Sequence, residues 1–289
     1  MYDINIFYLK CFYDAALMGS VSESARRNFV SQSAVSQAIA KLERSLGTSL
    51  SLHKKQHFKL TEEGEIVFNQ AKEIFSAIRR LQDALDHQKG HPKMPLHFVT
   101  THSIGLSLLP EFILKYKSLY PDLEIHFQFG GLTQIKGWLK QGIAEFALVL
   151  ESPDVTHYQQ KHLYKGAFGL YKHKNEVRPF QEVGAQIEHK DGMMVYEFMT
   201  AYKGLYKAEM PITAELNSWE FIARSIENGQ GYGLIPDLIN LRGRYTYLVP
   251  FLDLKLPYHL SAISPKGEQL SYSAETFLQL LQEFIKNKI

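Results

Sequence analysis

Ser31, Gln32, Ser33, Ser36 and Gln37 place three hydroxyls and two carboxamides within seven residues, interleaved with Val35 and followed by Ile39 and Leu42. On a helix those apolar residues, four and three apart, share one face and leave the polar run on the other. Carboxamides pair bidentately with the adenine edge in the major groove, and hydroxyls address donors or acceptors there. Arg26, Arg27, Lys41, Lys54 and Lys55 flank the run, with His53 beside the last two. Such cations hold backbone phosphates without reading sequence. The residues suited to contact double-stranded DNA are therefore Arg26, Arg27, Ser31, Gln32, Ser33, Ser36, Gln37, Lys41, His53, Lys54 and Lys55.

A second set stands where a short apolar strand gives way to a helix: Thr100, Thr101, His102 and Ser103. Backbone N–H groups and the positive end of a helix dipole favour an anion at such a junction, and hydroxyls can hydrogen-bond a carboxylate. Ser103 could equally cap that helix. Enzyme chemistry finds no comparable support. Gly229, Gly231 and Gly233 follow a helix and precede a strand, the reverse of the order that cradles a phosphate, so they read as a helix stop. His53 and His57 lack further metal ligands and read as a solvated basic face, while Cys11 lies on an apolar stripe and reads as core. No nucleophile elbow stands out, and neither catalytic residue nor cofactor is expected.

These groups need scaffolds, and 289 residues allow about two domains of roughly 100–200 residues each. A hydrophobic share of 45% excludes a disordered chain, and a net charge of +2 excludes one that coats polyanions along its whole length. The charge is uneven, because residues 1–61 carry 8 Lys/Arg against 4 Asp/Glu. A polyanion-binding module at the front of a different body explains that imbalance. The single cysteine fits a reducing compartment, so a cytoplasmic location is expected. No run of about 18 apolar residues occurs, and Met1 to Lys10 lacks the basic start of a signal peptide, so no membrane partner is expected.

Ile4, Phe7, Cys11, Phe12 and Ala15 form one stripe and predict a first helix, ended by Gly19 and Ser20. A short second helix over about 22–28, capped by Ser22, and a third from near Ser31 to about Leu46, stopped by Gly47, make a helix-turn-helix rhythm. Residues 50–60 read as a hairpin in the place of a wing, with Thr61 as the next N-cap. From Glu62 to about Gln88 the residues Val67, Ala71, Ile74, Ile78, Leu81 and Leu85 alternate steps of four and three, a heptad seam that pairs with a second copy or else packs on the helix's own domain, with the polar remainder of a long helix favouring the first. A break at 89–95 reads as a hinge. Beyond it strands at 96–100, 123–129, 146–150, 167–171, 193–196, 233–235 and 259–264 are expected between helices at 106–120, 132–141, 218–228 and 272–286. That alternation predicts a parallel sheet covered on both faces.

Four stretches together resemble the LysR-type transcriptional regulators. They are Phe12 to Arg26 with Gly19, Ser20 and Ala25; Val30 to Ser36 followed by Ile39, Leu42 and Glu43; Leu46-Gly47 with Leu60-Thr61 and Gly64; and Gly229 to Pro236. The resemblance spans nearly the whole chain. It implies an α/β protein with an N-terminal winged helix-turn-helix (1–61), a dimerising linker helix and hinge (62–95) and a periplasmic-binding-protein-like effector domain (96–289). That domain would divide into one subdomain at about 96–166 with 262–289 and another at about 167–261. The implied function is regulation of transcription from an inverted-repeat promoter site, bound as a homodimer or homotetramer, with RNA polymerase as a further partner. A small organic acid or amino-acid-like effector is implied between the subdomains. Thr100, Thr101, His102 and Ser103 would form one wall, Phe198, Thr200 and Ser218 the other, and Phe129 and Leu132 the apolar side.

Departures from the family pattern sharpen the expectations. Ser51, His53 and Gln56 stand where the family usually has an aromatic and two Arg in the wing, which predicts weaker, more salt-sensitive phosphate binding. Gln37 replaces a common basic residue and should alter the base edge read. Leu132 replaces a hydroxyl found in some relatives and argues against a strongly polar diacid. The rival reading is a solute-binding or enzymatic α/β protein that uses its first helices only to dimerise; a third is a nonspecific nucleoid-type binder. Both predict no preference among DNA sequences.

Overall fold

A computed structural model describes residues 4–52, 58–89, 95–190 and 192–287. The chain divides into two compact units, residues 1–88 with 141–143, and residues 89–140 with 144–289.

In the first unit, caps set each helix boundary. The Asn5 side chain accepts from the Phe7 and Tyr8 N–H groups and opens α1 (Ile6–Met18), which closes at Gly19 with φ 62°. Ser20, not Ser22, caps α2 (Val21–Arg27): Ser20 is extended at φ −154° and accepts from Glu23 N–H, whereas Ser22 already lies in the first turn. Ser31 caps α3 (Gln32–Leu46), which ends at the left-handed Gly47. Burial on α1 begins only at Leu9, so Ile4 and Phe7 of the predicted stripe stay exposed while Cys11, Phe12 and Ala15 join Val35, Ala38, Ile39 and Leu42 in the core. Burial also pushes the Cys11 thiol pKa up, which keeps it a core group rather than a nucleophile.

Strands β1 (Ser51–Leu52) and β2 (Lys59–Leu60) pair antiparallel. The Glu43 carboxylate accepts the Leu50 and Ser51 N–H groups at the entry to this hairpin. Thr61 then donates to the Ser49 carbonyl and accepts from Gly64 N–H, opening α4 (Glu62–Lys89). Position 64 must be glycine here, since a Cβ would lie 2.0 Å from the Leu50 carbonyl oxygen. Tyr13 of α1 stacks on Phe68 at 5.2 Å and tilts against Phe75 at 5.3 Å, fixing the start of α4.

The second unit runs β3 (Leu96–Thr100), α5 (His102–Leu119), β4 (Ile125–Phe129), α6 (Leu132–Gln141), β5 (Phe146–Leu150), β6 (Gln159–His173), α7 (Phe180–Val183), β7 (Ala185–Ile187), α8 (Met193–Tyr206), β8 (Ile212–Glu215), α9 (Trp219–Glu227), β9 (Tyr232–Pro236), β10 (Leu248–Ser264) and α10 (Tyr272–Lys286). Its eight strands lie in the order β4-β3-β5-β10-β6-β9-β7-β8. The flanks β4-β3-β5 and β9-β7-β8 are parallel, as expected, but the centre is not. There β10 pairs antiparallel with both β5 and β6, and β6 antiparallel with β9. The two central strands, 15 and 17 residues long, connect the flanks.

Alternation along the strands splits the core. Phe98 enters a large cluster with Phe112, Phe146 and Phe277, its ring 5.1 Å from those of Phe146 and Phe277, while Val99 enters a small cluster with Ile135, Leu139 and Val149. Truncating one such fully buried ring costs about 3–5 kcal/mol. Met193–Tyr196, expected as a strand, is the first turn of α8. A short apolar run has no periodicity of its own to separate strand from helix.

Candidate nucleic-acid interface and ligand cleft

Helix α3 turns Val35, Ala38, Ile39 and Leu42 inward and exposes Gln32, Ser33, Ser36, Gln37 and Lys41. Ser31 caps it by accepting from Ala34 N–H and lies 2.9 Å from the Ser33 hydroxyl. Ser36 donates back to the Gln32 carbonyl, which leaves its lone pairs outward. Lys41 lies 5.5 Å above the Tyr8 ring and is held over it. The two arginines are exposed but tethered: Arg26 reaches Glu23 at 2.5 Å, and Arg27 lies 3.6 Å from buried Asp14. Ser51 sits on β1, whereas His53, Lys54, Lys55 and Gln56 lie outside the described residues.

Phe29 lies in the turn between α2 and α3 and carried no signal in the sequence beyond that place. It is 95% exposed and adopts φ 54°, a left-handed conformation that a bulky side chain rarely takes. Backbone strain of this kind concentrates at functional sites.

The second set of predicted residues is only partly brought together. Thr100 is fully buried and its hydroxyl donates to the Leu148 carbonyl, so it clamps β3 to β5 instead of facing a ligand. Thr101, not Ser103, occupies the cap position of α5, yet its Oγ1 makes no cap bond and is buried without a hydrogen-bond partner among the described residues. Ser103 reaches across to α9, accepting from Trp219 N–H at 3.1 Å. Ser218 caps α9 through Phe221 N–H, and the Trp219 indole Nε1 is a second buried group without a partner among the described residues. His102 stacks on Phe129 at 4.9 Å. That ring lies over Gly105, where a Cβ would come within 2.2 Å of it.

Besides Thr100, three more of the expected residues sit otherwise than expected. Phe198 is fully buried in the large core and Thr200 is exposed, its hydroxyl bonded back to the Tyr196 carbonyl; two residues apart on α8, they face opposite ways and cannot line one wall. Leu132 is partly buried and packs against the small core of Val99, Ile135 and Leu139. In their place stand residues that sequence reasoning missed. Glu220 is buried and binds Ser107 of α5, Tyr245 and Arg244, so α5 and α9 are tied at a second point. Glu188 follows β7 at the carboxyl end of a parallel strand, where α/β sheets place ligands. Burial pushes its carboxyl pKa up to about 7. A wide depression of about 590 Å³ lies elsewhere, lined by Arg178, Gln186, Thr213, Phe221 and Gln230.

The two units have counterparts among known proteins. Residues 7–65 match the bacterial regulatory helix-turn-helix protein model of the lysR family, and residues 89–286 match the LysR substrate binding domain. The HTH-type transcriptional activator CmpR of Synechocystis sp. is 24% identical, over 97% of this chain and 96% of that protein. A full-length OxyR variant from Pseudomonas aeruginosa shares the fold with a TM-score of 0.68 at 17% identity, over 99% of both chains. DarR of Vibrio fischeri, solved in complex with DNA, shares it with a TM-score of 0.53 at 16% identity, over 97% of this chain and 99% of that one. Matched by both models over most of its length, the chain belongs to the LysR family of DNA-binding transcriptional regulators.

Proposed function

We propose that this regulator binds an inverted-repeat promoter site as a dimer or tetramer and responds to a small carboxylate-bearing effector held between α5 and α9. The pairing rests on one observation: Ile74, Ile78, Leu81 and Leu85 of the predicted seam are exposed on α4. A second copy supplies the cover they lack, and with it a second reading helix for the other half-site. The effector reading rests on Thr101 Oγ1 and Trp219 Nε1, buried polar groups without a partner among the described residues that lie within two residues of the Ser103–Trp219 bridge. An unsatisfied buried group costs about 1–3 kcal/mol, which a ligand hydrogen bond recovers. Such a ligand shifts the assembly only by binding two of its states unequally.

In this reading residues 1–61 hold the winged helix-turn-helix, 62–95 the linker and hinge, and 96–289 the effector domain, with lobes at 96–166 plus 262–289 and at 167–261. The protein works in the cytoplasm and meets RNA polymerase at the promoter. No helix among the described residues is long and apolar enough to cross a membrane.

Selection from a random duplex pool, followed by a salt series on selected and scrambled sequences, tests the DNA reading. An enriched inverted repeat is expected. Gln32→Ala should then cost about 1–3 kcal/mol on that repeat and nothing on the scramble. Equal loss on both would remove Gln32 from the base readers.

A further inference from the structure

His162 on β6, His259 on β10 and Glu151, the residue after β5, each offer a ligand atom, all within 4.8 Å of one another. His162 Nδ1 lies 2.5 Å from Glu151 Oε1, and His259 Nδ1 lies 3.4 Å from Oε2. The Ser261 hydroxyl donates to the same Glu151 Oε1 and sits 3.1 Å from His162 Nδ1. None of these groups takes part in the cleft described above.

Their convergence depends on a backbone irregularity. Residues two apart on a strand share a face, and so do cross-strand partners. His259 and Ser261 therefore point together, and Glu151 joins them, since Ser261 is paired with Val149 and Glu151 N–H bonds the His259 carbonyl. On β6, Tyr164 stands opposite Leu260, so an unbroken strand would set Leu163 opposite Ser261 and turn His162 to the other face. The register instead slips by one residue, bringing His162 opposite Ser261 while Leu163 is buried in the core. Bulges of this kind re-aim side chains next to functional sites.

We infer that Glu151, His162 and His259 form a binding site for a divalent transition-metal ion of the zinc, cobalt or nickel type. Two imidazole nitrogens and one carboxylate oxygen suit these ions, whereas calcium and magnesium prefer sets made of oxygen alone. Tetrahedral bonds of about 2.0–2.2 Å set ligand atoms about 3.4 Å apart, the separation already present between His259 and Glu151. His162, 63% exposed, has the freedom to rotate to the same spacing. Ser261 supplies the outer hydrogen bond that orients the carboxylate. The fourth position faces outward, open to water or an exchangeable ligand. An ion there ties β5, β6 and β10 together, and the last two connect both flanks of the sheet.

Calorimetric titration of the chelator-treated full chain with zinc, and the visible spectrum with cobalt, test the site. One ion per chain is expected, with weaker absorption and about 10- to 100-fold weaker binding in each of Glu151→Gln, His162→Ala and His259→Ala. His126→Ala serves as the control, because His126 stacks on His97 at another place in the sheet and should leave the titration unchanged. Circular dichroism melts confirm folding, and the exposed His162 makes His162→Ala the decisive variant if His259→Ala unfolds. A wild-type chain that takes up no ion overturns the inference, as does a titration that His162→Ala leaves unchanged. The cluster is then a hydrogen-bonded network only.

Discussion

The two polar surfaces of this regulator are built at different ranges along the chain. On α3 every outward side chain belongs to one helix, and its cap, its stop and its buried face lie within residues 31–47. The bridge between α5 and α9 joins Ser103 to Trp219, 116 residues later. A polar surface made by one helix inherits its geometry from local spacing, so substitutions there leave the scaffold intact. A bridge between two distant helix ends inherits its geometry from the sheet between them, so its polar groups also carry stability.

Four experiments break or sharpen that contrast. Replacing Ile78 and Leu81 together by Asp should have the largest effect, about 10³-fold or more in affinity for the paired operator, the margin that separates specific from nonspecific binding. Sedimentation should show the protomer alone; an unchanged mass and affinity would place the pairing surface elsewhere. Ser103→Val should come next, because it strands Trp219 N–H in a buried position and costs about 1–3 kcal/mol of unfolding stability. DNA binding by the folded protein should stay the same. A loss of operator affinity without a loss of stability would instead make Ser103 part of the DNA response.

Glu188 sets a pH dependence of similar size. Its folded pKa of about 7 lies above the ordinary value of 4.5, so the folded state holds the proton more tightly than the unfolded state. The stabilisation is complete below pH 4.5 and is lost as pH rises through 7, about 2 kcal/mol in all once solvent access is allowed for. Melts across that window should show the decline in the wild type and not in Glu188→Gln; identical slopes would remove Glu188 as the source. Phe29→Gly carries the smallest effect. Relief of the left-handed strain should raise stability by about 1 kcal/mol while weakening DNA binding. Equal DNA affinity would make the exposed ring a bystander.

Legibility followed the same division. The limits of α3, the Gly19 and Gly47 stops and the Thr61 cap could be read because each depends on neighbours a few residues away. The sequence reading also matched α6 and β5 to the residue, where apolar spacing is unbroken. It placed only part of β6 and of β10: Gln159 to Gly166 has no alternation, and Leu252, Leu254, Leu256 and Tyr258 do alternate with polar residues but are interrupted by Pro257 and fell outside the expected strand. Those segments become strands by pairing with each other, and each is a partner that the other's sequence does not announce.

The roles of Thr100 and Phe198 show the remaining gap. A threonine at the end of a strand and a phenylalanine near a helix start look available for a ligand, but the Leu148 carbonyl takes the first and the core takes the second. Local periodicity, caps and charge balance were enough to place α3, the long helix α4 and the basic front end, and four motif stretches carried the family resemblance. Long-range pairing alone chose which hydroxyls stay free, set Ser103 against Trp219 and slipped β6 by one residue so that His162 meets Glu151. Such contacts depend on strand register across the sheet, and register is a property of two chain segments at once.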